Sequence, residues 1–195
     1  MALLIFGLIL FIGIHLLRVL VPGFRQSMID RFGRPAWSAI YSVASIIALV
    51  VLVYGFDVAR GDTGMLYSPP VWTAHIAVTL MLFATICLIA GFLPAGQIAT
   101  KSKHPMVLAV KIWAIAHLMA NGETSSVILF TAFLAWGVIL RIALKRRERA
   151  GELTRRPFVS ARYDAIAVVL GIVVWALMIW KIHALLIGVA PIAMG

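Results

Sequence analysis

The chain has 195 residues, of which 63% are hydrophobic and only 12% carry a charge. Soluble domains contain roughly 45–50% apolar and 25% charged residues, so this composition excludes an ordinary soluble fold and indicates apolar surface that faces lipid. The formal charge of +10 would suit nucleic acid, but the cations lie in short loops between apolar segments, where membrane topology accounts for them, and we expect no nucleic-acid partner.

Six apolar segments follow one another and predict transmembrane helices, because about 20 helical residues cross a bilayer and helices satisfy their own backbone hydrogen bonds. The first segment is interpreted as a retained helix rather than a signal peptide, since it lacks a basic n-region and a small-residue cleavage site. The sequence therefore predicts an all-α polytopic membrane helix bundle, formed as a single domain by residues 1–195. The predicted spans are residues 3–21, 36–54, 71–93, 105–120, 125–143 and 165–187.

Three of the loops between these spans are basic, and the alternate loops are nearly balanced or acidic. By the positive-inside rule the basic loops are cytoplasmic, which places both termini on the non-cytoplasmic side. The longest basic loop, residues 145–162, either anchors the chain to anionic headgroups or docks a partner, and the sequence leaves both interpretations open. The basic loops carry Arg25, Arg31 and Arg34, then Lys101 and Lys103, then Lys145, Arg146, Arg147, Arg149, Arg155, Arg156 and Arg162.

Ionisable side chains inside a bilayer are costly, so each one calls for a structural or functional account. No acidic residue lies deep in any span, which argues against a proton or cation transporter. His75 and His183 lie nearer the non-cytoplasmic surface, and the sequence leaves open whether they have any role. The set of ionisable residues is His15, Arg18, His75, His104, Lys111, His117, Lys181 and His183.

His15 and His117 are predicted to lie at similar depths near the middle of the bilayer. At 1.5 Å of rise per residue they lie ~18 Å from opposite faces of a ~30 Å core, so their depths differ by ~6 Å. Two imidazoles from separate helices of a bundle can form a b-type haem site, and haem propionates would neutralise Lys111 and Arg18. For Lys111 the sequence leaves a second interpretation open, in which the side chain snorkels to the surface or contacts backbone carbonyls. His104 lies ~20 Å from His117 along the same helix and cannot share its metal. We therefore predict His15 and His117 as the metal ligands of haem b.

Other metal sites fit the spans less well. Zinc is less favoured, because cysteine and carboxylate ligands are missing at that depth. The single cysteine, Cys87, excludes an intrachain disulfide and a covalent c-type haem, which needs two cysteines. It lies in an apolar run and is expected to be a small packing residue.

The segment HPMVLAVKIWAIAHLMANGE, residues 104–123, resembles the signature of the NnrU family. Three further segments carry the resemblance: GIHLLR at 13–18, RQSMIDRFGRPAWSAIYSVAS at 25–45 and WKIHALLIGVAP at 180–191. NnrU proteins are bacterial membrane proteins associated with denitrification, where they are linked to nitrite and nitric oxide reduction. The resemblance therefore implies a multi-pass protein of the bacterial inner membrane.

The NnrU family is similar to zeta-carotene isomerase, a membrane enzyme that uses b-type haem with histidine axial ligands. His15 falls where that enzyme places its first-helix histidine, His117 falls on the histidine of its W-x-x-A-H segment, and His104 falls on its H-P histidine. The resemblance thus implies cofactor-binding roles for these three residues. The chain has a more distant likeness to isoprenylcysteine methyltransferases. Lys103 replaces an arginine of that family's motif, and residues 107–109 contain neither its tyrosine nor its glycine, which argues against methyl transfer.

Two functional hypotheses from different classes follow. The leading one is a haem-binding membrane protein of denitrification in a redox, sensing or isomerase-like role, with Arg18 and Lys111 beside the haem. The sequence leaves open whether such a protein is an enzyme. The alternative is a non-catalytic assembly or maturation partner of a membrane reductase, in which the histidines are structural. Transport of a small molecule ranks last, because broken helices and paired polar halves are missing.

Overall fold

The computed structural model describes residues 1–192, and this part of the chain is helical apart from short connections. It contains no strand; Met65 and Glu123 form an isolated antiparallel bridge. Five of its helical segments are long and apolar enough to cross a membrane, and a further apolar helix of 16 residues is shorter. The prediction of an all-α polytopic bundle is therefore confirmed. The chain is a multi-pass membrane protein whose environment is a lipid bilayer.

Each predicted span falls mainly on a helical segment, but the helix that contains the second span, Pro22–Asp62, is much longer than that span. The fourth predicted span coincides with helix α5, which at 1.5 Å per residue measures ~24 Å, less than the ~30 Å hydrocarbon core. A five-residue π-helical turn, Met178–Ile182, separates the last two α-helices. The α-helices are α1 (Ala2–Leu20), α2 (Pro22–Asp62), α3 (Val71–Phe92), α4 (Gln97–Ser102), α5 (Pro105–Ala120), α6 (Thr124–Arg149), α7 (Arg162–Leu177) and α8 (His183–Ile187).

The stretch between the first two predicted spans is helical rather than a loop. Pro22 begins α2, where its fixed φ suits the first helical position and its missing N–H leaves no donor unpaired. The helix is interrupted at Gly33, whose φ of 81° and ψ of 157° are open to glycine but strained for other residues. Pro35 then lies in the first turn of the continuing helix, where proline is tolerated. A glycine and a proline two residues apart thus divide α2 into a polar segment and an apolar one.

The first compact unit comprises residues Met1–Tyr67 and Glu123–Ala132. Within it α1 packs on α2 through glycines: a Cβ on Gly7 would lie 2.7 Å from the Cα of Leu52, and one on Gly55 would lie 2.8 Å from the backbone of Leu3. Small residues of this kind allow two membrane helices to approach closely. The start of α6 is held to the end of α2 by a Thr63–Ser125 hydrogen bond of 3.1 Å.

The second compact unit comprises Ser68–Gly122 and Phe133–Gly195, of which the residues up to 192 are described. Helix α3 lies at its centre and contacts both α5 and α7. A Cβ on Gly171 of α7 would lie 2.8 Å from the Cα of Ile86, so this helix pair is also closely packed. The indole N–H of Trp175 donates to the carbonyl of Val78 at 2.8 Å, which fixes α7 against α3.

Candidate functional site

His15 and His117 make the same local hydrogen bond. The Nδ1 of His15 lies 2.7 Å from the carbonyl oxygen of Phe11, and the Nδ1 of His117 lies 2.9 Å from that of Trp113, each one helical turn earlier. A carbonyl can only accept, so Nδ1 carries the proton and a neutral ring has its lone pair on Nε2. This is the tautomer that ligates a metal through Nε2, with the other nitrogen oriented by a second hydrogen bond.

In the first unit, His15 is half-buried in an aromatic environment. Its ring lies 4.2 Å from the ring of Phe11 and meets Tyr41 edge-on at 5.9 Å, measured between centroids. Tyr41 in turn lies 5.9 Å from Trp37. Arg18, predicted to neutralise a propionate, lies one turn further along α1 and is exposed. The rings beside His15 thus come from both α1 and α2.

In the second unit, His117 is likewise half-buried among aromatic side chains. Its ring centroid lies 5.3 Å from that of Trp113, and Trp113 meets Phe133 of α6 edge-on at the same centroid distance. The side-chain amide of Asn121 donates to the carbonyl of His117 at 2.9 Å and so closes the last turn of α5. The imidazole itself is oriented by its Nδ1 hydrogen bond and by its contact with Trp113.

The structure brings His183 beside His117, which the sequence did not reveal. The two imidazole rings are nearly parallel, at 23°, with centroids 6.4 Å apart. The Nδ1 of His183 lies 2.6 Å from the carbonyl oxygen of Val189, so this ring has the same tautomer as the other two. The chain can fold back in this way because Gly188 adopts a φ of 78° and ends α8. His183 therefore joins His117 as a candidate ligand within one unit.

The π-helical turn Met178–Ile182 immediately precedes His183. A π turn widens the helix by one residue and rotates everything that follows relative to a regular α-helix, and such turns are frequent at functional sites. The register of His183 therefore depends on this irregularity. A hydropathy pattern cannot reveal it, because the segment is apolar throughout; the only signal in the sequence was the histidine itself within WKIHALLIGVAP.

Two cations lie inside the second unit on neighbouring helices. Lys111 of α5 is half-buried, and its stem covers Gly137 of α6, where an added Cβ would lie 2.8 Å from the Lys111 Cγ. Arg141 lies one turn further along α6, and its Nη1 is buried without a hydrogen-bond partner. The sequence predicts a role for Lys111 and not for Arg141, although an arginine inside an apolar span is a detectable signal. Buried cations of this kind suit an anionic group such as a carboxylate.

His104, the third histidine of the resemblance, belongs to a different cluster. Its Nε2 lies 2.8 Å from Oε1 of Glu148, whose other oxygen accepts from the Nε of Arg155 at 3.4 Å. This cluster lies at the start of α5, whereas His117 lies in its last turn. The structure thus groups His117, Lys111 and His104 in the second unit and His15 with Arg18 in the first. The convergence of His15 and His117 on one iron stays a prediction.

Comparison with known proteins gives one family. The NnrU protein family matches residues 3–191 of the 195-residue chain. No curated protein and no solved structure matches. The matched region includes all of the histidines described above, together with Lys111 and Arg141. Because the match covers nearly the whole chain, this multi-pass membrane protein belongs to the NnrU family.

Proposed function

We propose that this membrane protein binds one b-type haem, with His117 as an axial ligand, and acts in nitrite and nitric oxide reduction in the bacterial inner membrane. The observation that carries the proposal is the shared tautomer of the histidines. His117, His15 and His183 each give Nδ1–H to a backbone carbonyl, which directs the lone pair to Nε2. The association of the NnrU family with denitrification supplies the physiological setting.

Haem fits this donor set better than a bare metal ion. A structural or catalytic zinc ion needs three or four protein ligands, whereas the porphyrin supplies four nitrogens and leaves only one or two axial positions. Within residues 1–192 no group of three or more histidine, cysteine or carboxylate side chains could hold a metal ion. One or two imidazoles are sufficient for a haem, so the available side chains match its requirements.

The surroundings of His117 also suit haem. Trp113 and Phe133 offer aromatic surface to a porphyrin, and Lys111 and Arg141 offer positive charge to its propionates. Two residues are candidates for the second axial position: His15, by its predicted depth, and His183, by its ring contact with His117 within the second unit. Bound haem would supply one-electron chemistry, and release of one of the two histidines would open a site for nitric oxide, which suits a redox, sensing or isomerase-like role.

Absorption spectra of the purified protein test the proposal. We expect wild-type protein from haem-supplemented cells to show a Soret band that shifts on addition of dithionite, with about one haem per chain by pyridine haemochrome assay. His117→Ala should lose most of this haem. His75→Ala is the matched control, because His75 is an exposed histidine on α3, and it should keep the wild-type spectrum.

The second ligand is identified by two further variants. Loss of an axial imidazole converts a six-coordinate, low-spin iron to a five-coordinate, high-spin one, so whichever of His15→Ala and His183→Ala changes spin state removes the ligand. Folded wild-type protein without a Soret band, judged by gel filtration and circular dichroism, would refute haem binding. Full haem content and an unchanged spectrum in His117→Ala would refute the role of that residue. Absence of haem from folded wild-type protein would favour the assembly-partner hypothesis.

A further inference from the structure

A basic cleft of about 290 Å³ opens in the second unit where α5 begins and α6 ends. Lys103 lies just before α5, and Lys145, Glu148 and Arg149 belong to the last turns of α6. Arg155 comes from the connection that follows. These five residues line the cleft. They lie in the regions that the positive-inside rule assigns to the cytoplasm. The cleft is therefore separate from the His117 end of α5.

The charge of the cleft is strongly positive, because four cations surround a single carboxylate. Glu148 is already engaged: its side chain is only 7% exposed and contacts both His104 and Arg155. Within the described residues, no carboxylate forms an ion pair with Lys145 or Arg149. A cationic ligand would be repelled here. An anion would find several donors that are not committed to a carboxylate of the chain.

The walls of the cleft are held in place by the backbone and by Glu148. Lys103 has a φ of 65°, a conformation that is unusual for a residue other than glycine. Its N–H donates to the carbonyl of Ala99 at 3.0 Å, which closes α4, and the chain then enters α5 at Pro105. On the opposite side, Glu148 holds Arg155 at 3.4 Å. The backbone at Lys103 and the Arg155 side chain are thus held before any ligand arrives, which lowers part of the entropic cost of binding.

We propose that this cleft binds the phosphate group of an anionic ligand. Lysine and arginine are the usual donors to phosphate, and the planar guanidinium of arginine binds two phosphate oxygens at once. Two sources present this chemistry at the ends of membrane helices: the headgroup of an anionic phospholipid and a soluble phosphate compound. The proposal goes beyond a topology signal, because a topology signal needs only the number of cations in a loop, whereas a binding site needs their grouping around a cleft.

The test compares two double variants of equal charge. Lys145→Gln/Arg149→Gln removes two cations from the cleft, and Lys101→Gln/Arg146→Gln removes two exposed cations that do not line it. Each protein is placed in nanodiscs of phosphatidylcholine, with or without phosphatidylglycerol. Lipids retained by the released protein are counted by native mass spectrometry. In a second arm, inorganic phosphate is titrated into the phosphatidylcholine nanodiscs while the midpoint of thermal unfolding is followed.

A lipid ligand predicts that wild type and the Lys101/Arg146 variant retain phosphatidylglycerol, while the cleft variant binds it at least about tenfold more weakly. A soluble ligand predicts that phosphate raises the unfolding midpoint of the same two proteins and not of the cleft variant. The charge-preserving variant Lys145→Arg/Arg149→Lys should behave as wild type, which guards against a folding defect. Equal responses of the two glutamine variants in both arms would overturn the proposal. This test does not depend on haem and can fail without affecting the haem proposal.

Discussion

Replacing Asp164 with alanine should destabilise the second unit through the loss of a long-range helix cap. Both carboxylate oxygens of Asp164, at the start of α7, accept backbone hydrogen bonds from the start of α4: Oδ2 from the N–H of Gln97 at 2.7 Å and Oδ1 from that of Ile98 at 2.9 Å. Without the side chain these donors lose their partner and the negative charge at a helix N-terminus is removed. The two elements are 66 and 67 residues apart in the chain, so the cap also ties α7 to α4.

The magnitude follows from the number and exposure of these bonds. A hydrogen bond to a charged group contributes about 1.5–3 kcal/mol. The Gln97 bond is exposed, so water can replace it, and the contribution of the two bonds together lies near the low end of this range. We therefore expect Asp164→Ala to cost about 2 kcal/mol, which corresponds to a thermal midpoint lower by on the order of 5 °C for a chain of this size. The midpoint of Asp164→Asn should lie between those of wild type and Asp164→Ala, because an amide has one oxygen acceptor and its NH₂ cannot accept the second bond.

The assay is thermal unfolding in a single detergent, followed by intrinsic tryptophan fluorescence. Asp62→Ala is the control, since Asp62 is an exposed carboxylate at the end of α2. Its midpoint should match that of wild type. If the midpoints of Asp164→Ala and Asp164→Asn equal those of wild type and Asp62→Ala, the cap does not stabilise the fold.

Two further predictions concern packing and the basic connection. Gly55→Ala should lower the unfolding midpoint, because its Cβ would lie 2.8 Å from the backbone of α1, and such overpacking costs about 1–3 kcal/mol; Gly61→Ala on the same helix, with nothing within 4 Å, should leave the midpoint unchanged or raise it. Arg156→Gln should speed cleavage by chymotrypsin after Phe158, because the Arg156 guanidinium donates to two carbonyls at the end of α3 and so holds this connection in place. Arg146→Gln should be cleaved at the wild-type rate. Equal cleavage rates in the two variants would contradict this role of Arg156.

The membrane class and the helix positions could be predicted because hydropathy is a local property. Lipid imposes about 20 apolar residues on each span, and a chain in lipid must form helices to pair its backbone groups. His15 and His117 could be singled out as candidates, since ionisable residues in apolar segments are few and conspicuous, and their role as haem ligands stays a prediction. The polar residues after Pro22 predict a loop, whereas the structure has a helix there, because hydropathy does not distinguish a polar helix from a polar loop.

The sequence by itself determined that this is a polytopic helical membrane protein of the NnrU type and which histidines lie within its spans. Only the tertiary structure decided which of these side chains meet. The stacking of His183 on His117, the pairing of His104 with Glu148 and the capping of α4 by Asp164 join residues 44 to 67 positions apart. Such contacts depend on how helices pack and on a single π turn, and apolar segments of similar composition carry no local record of either.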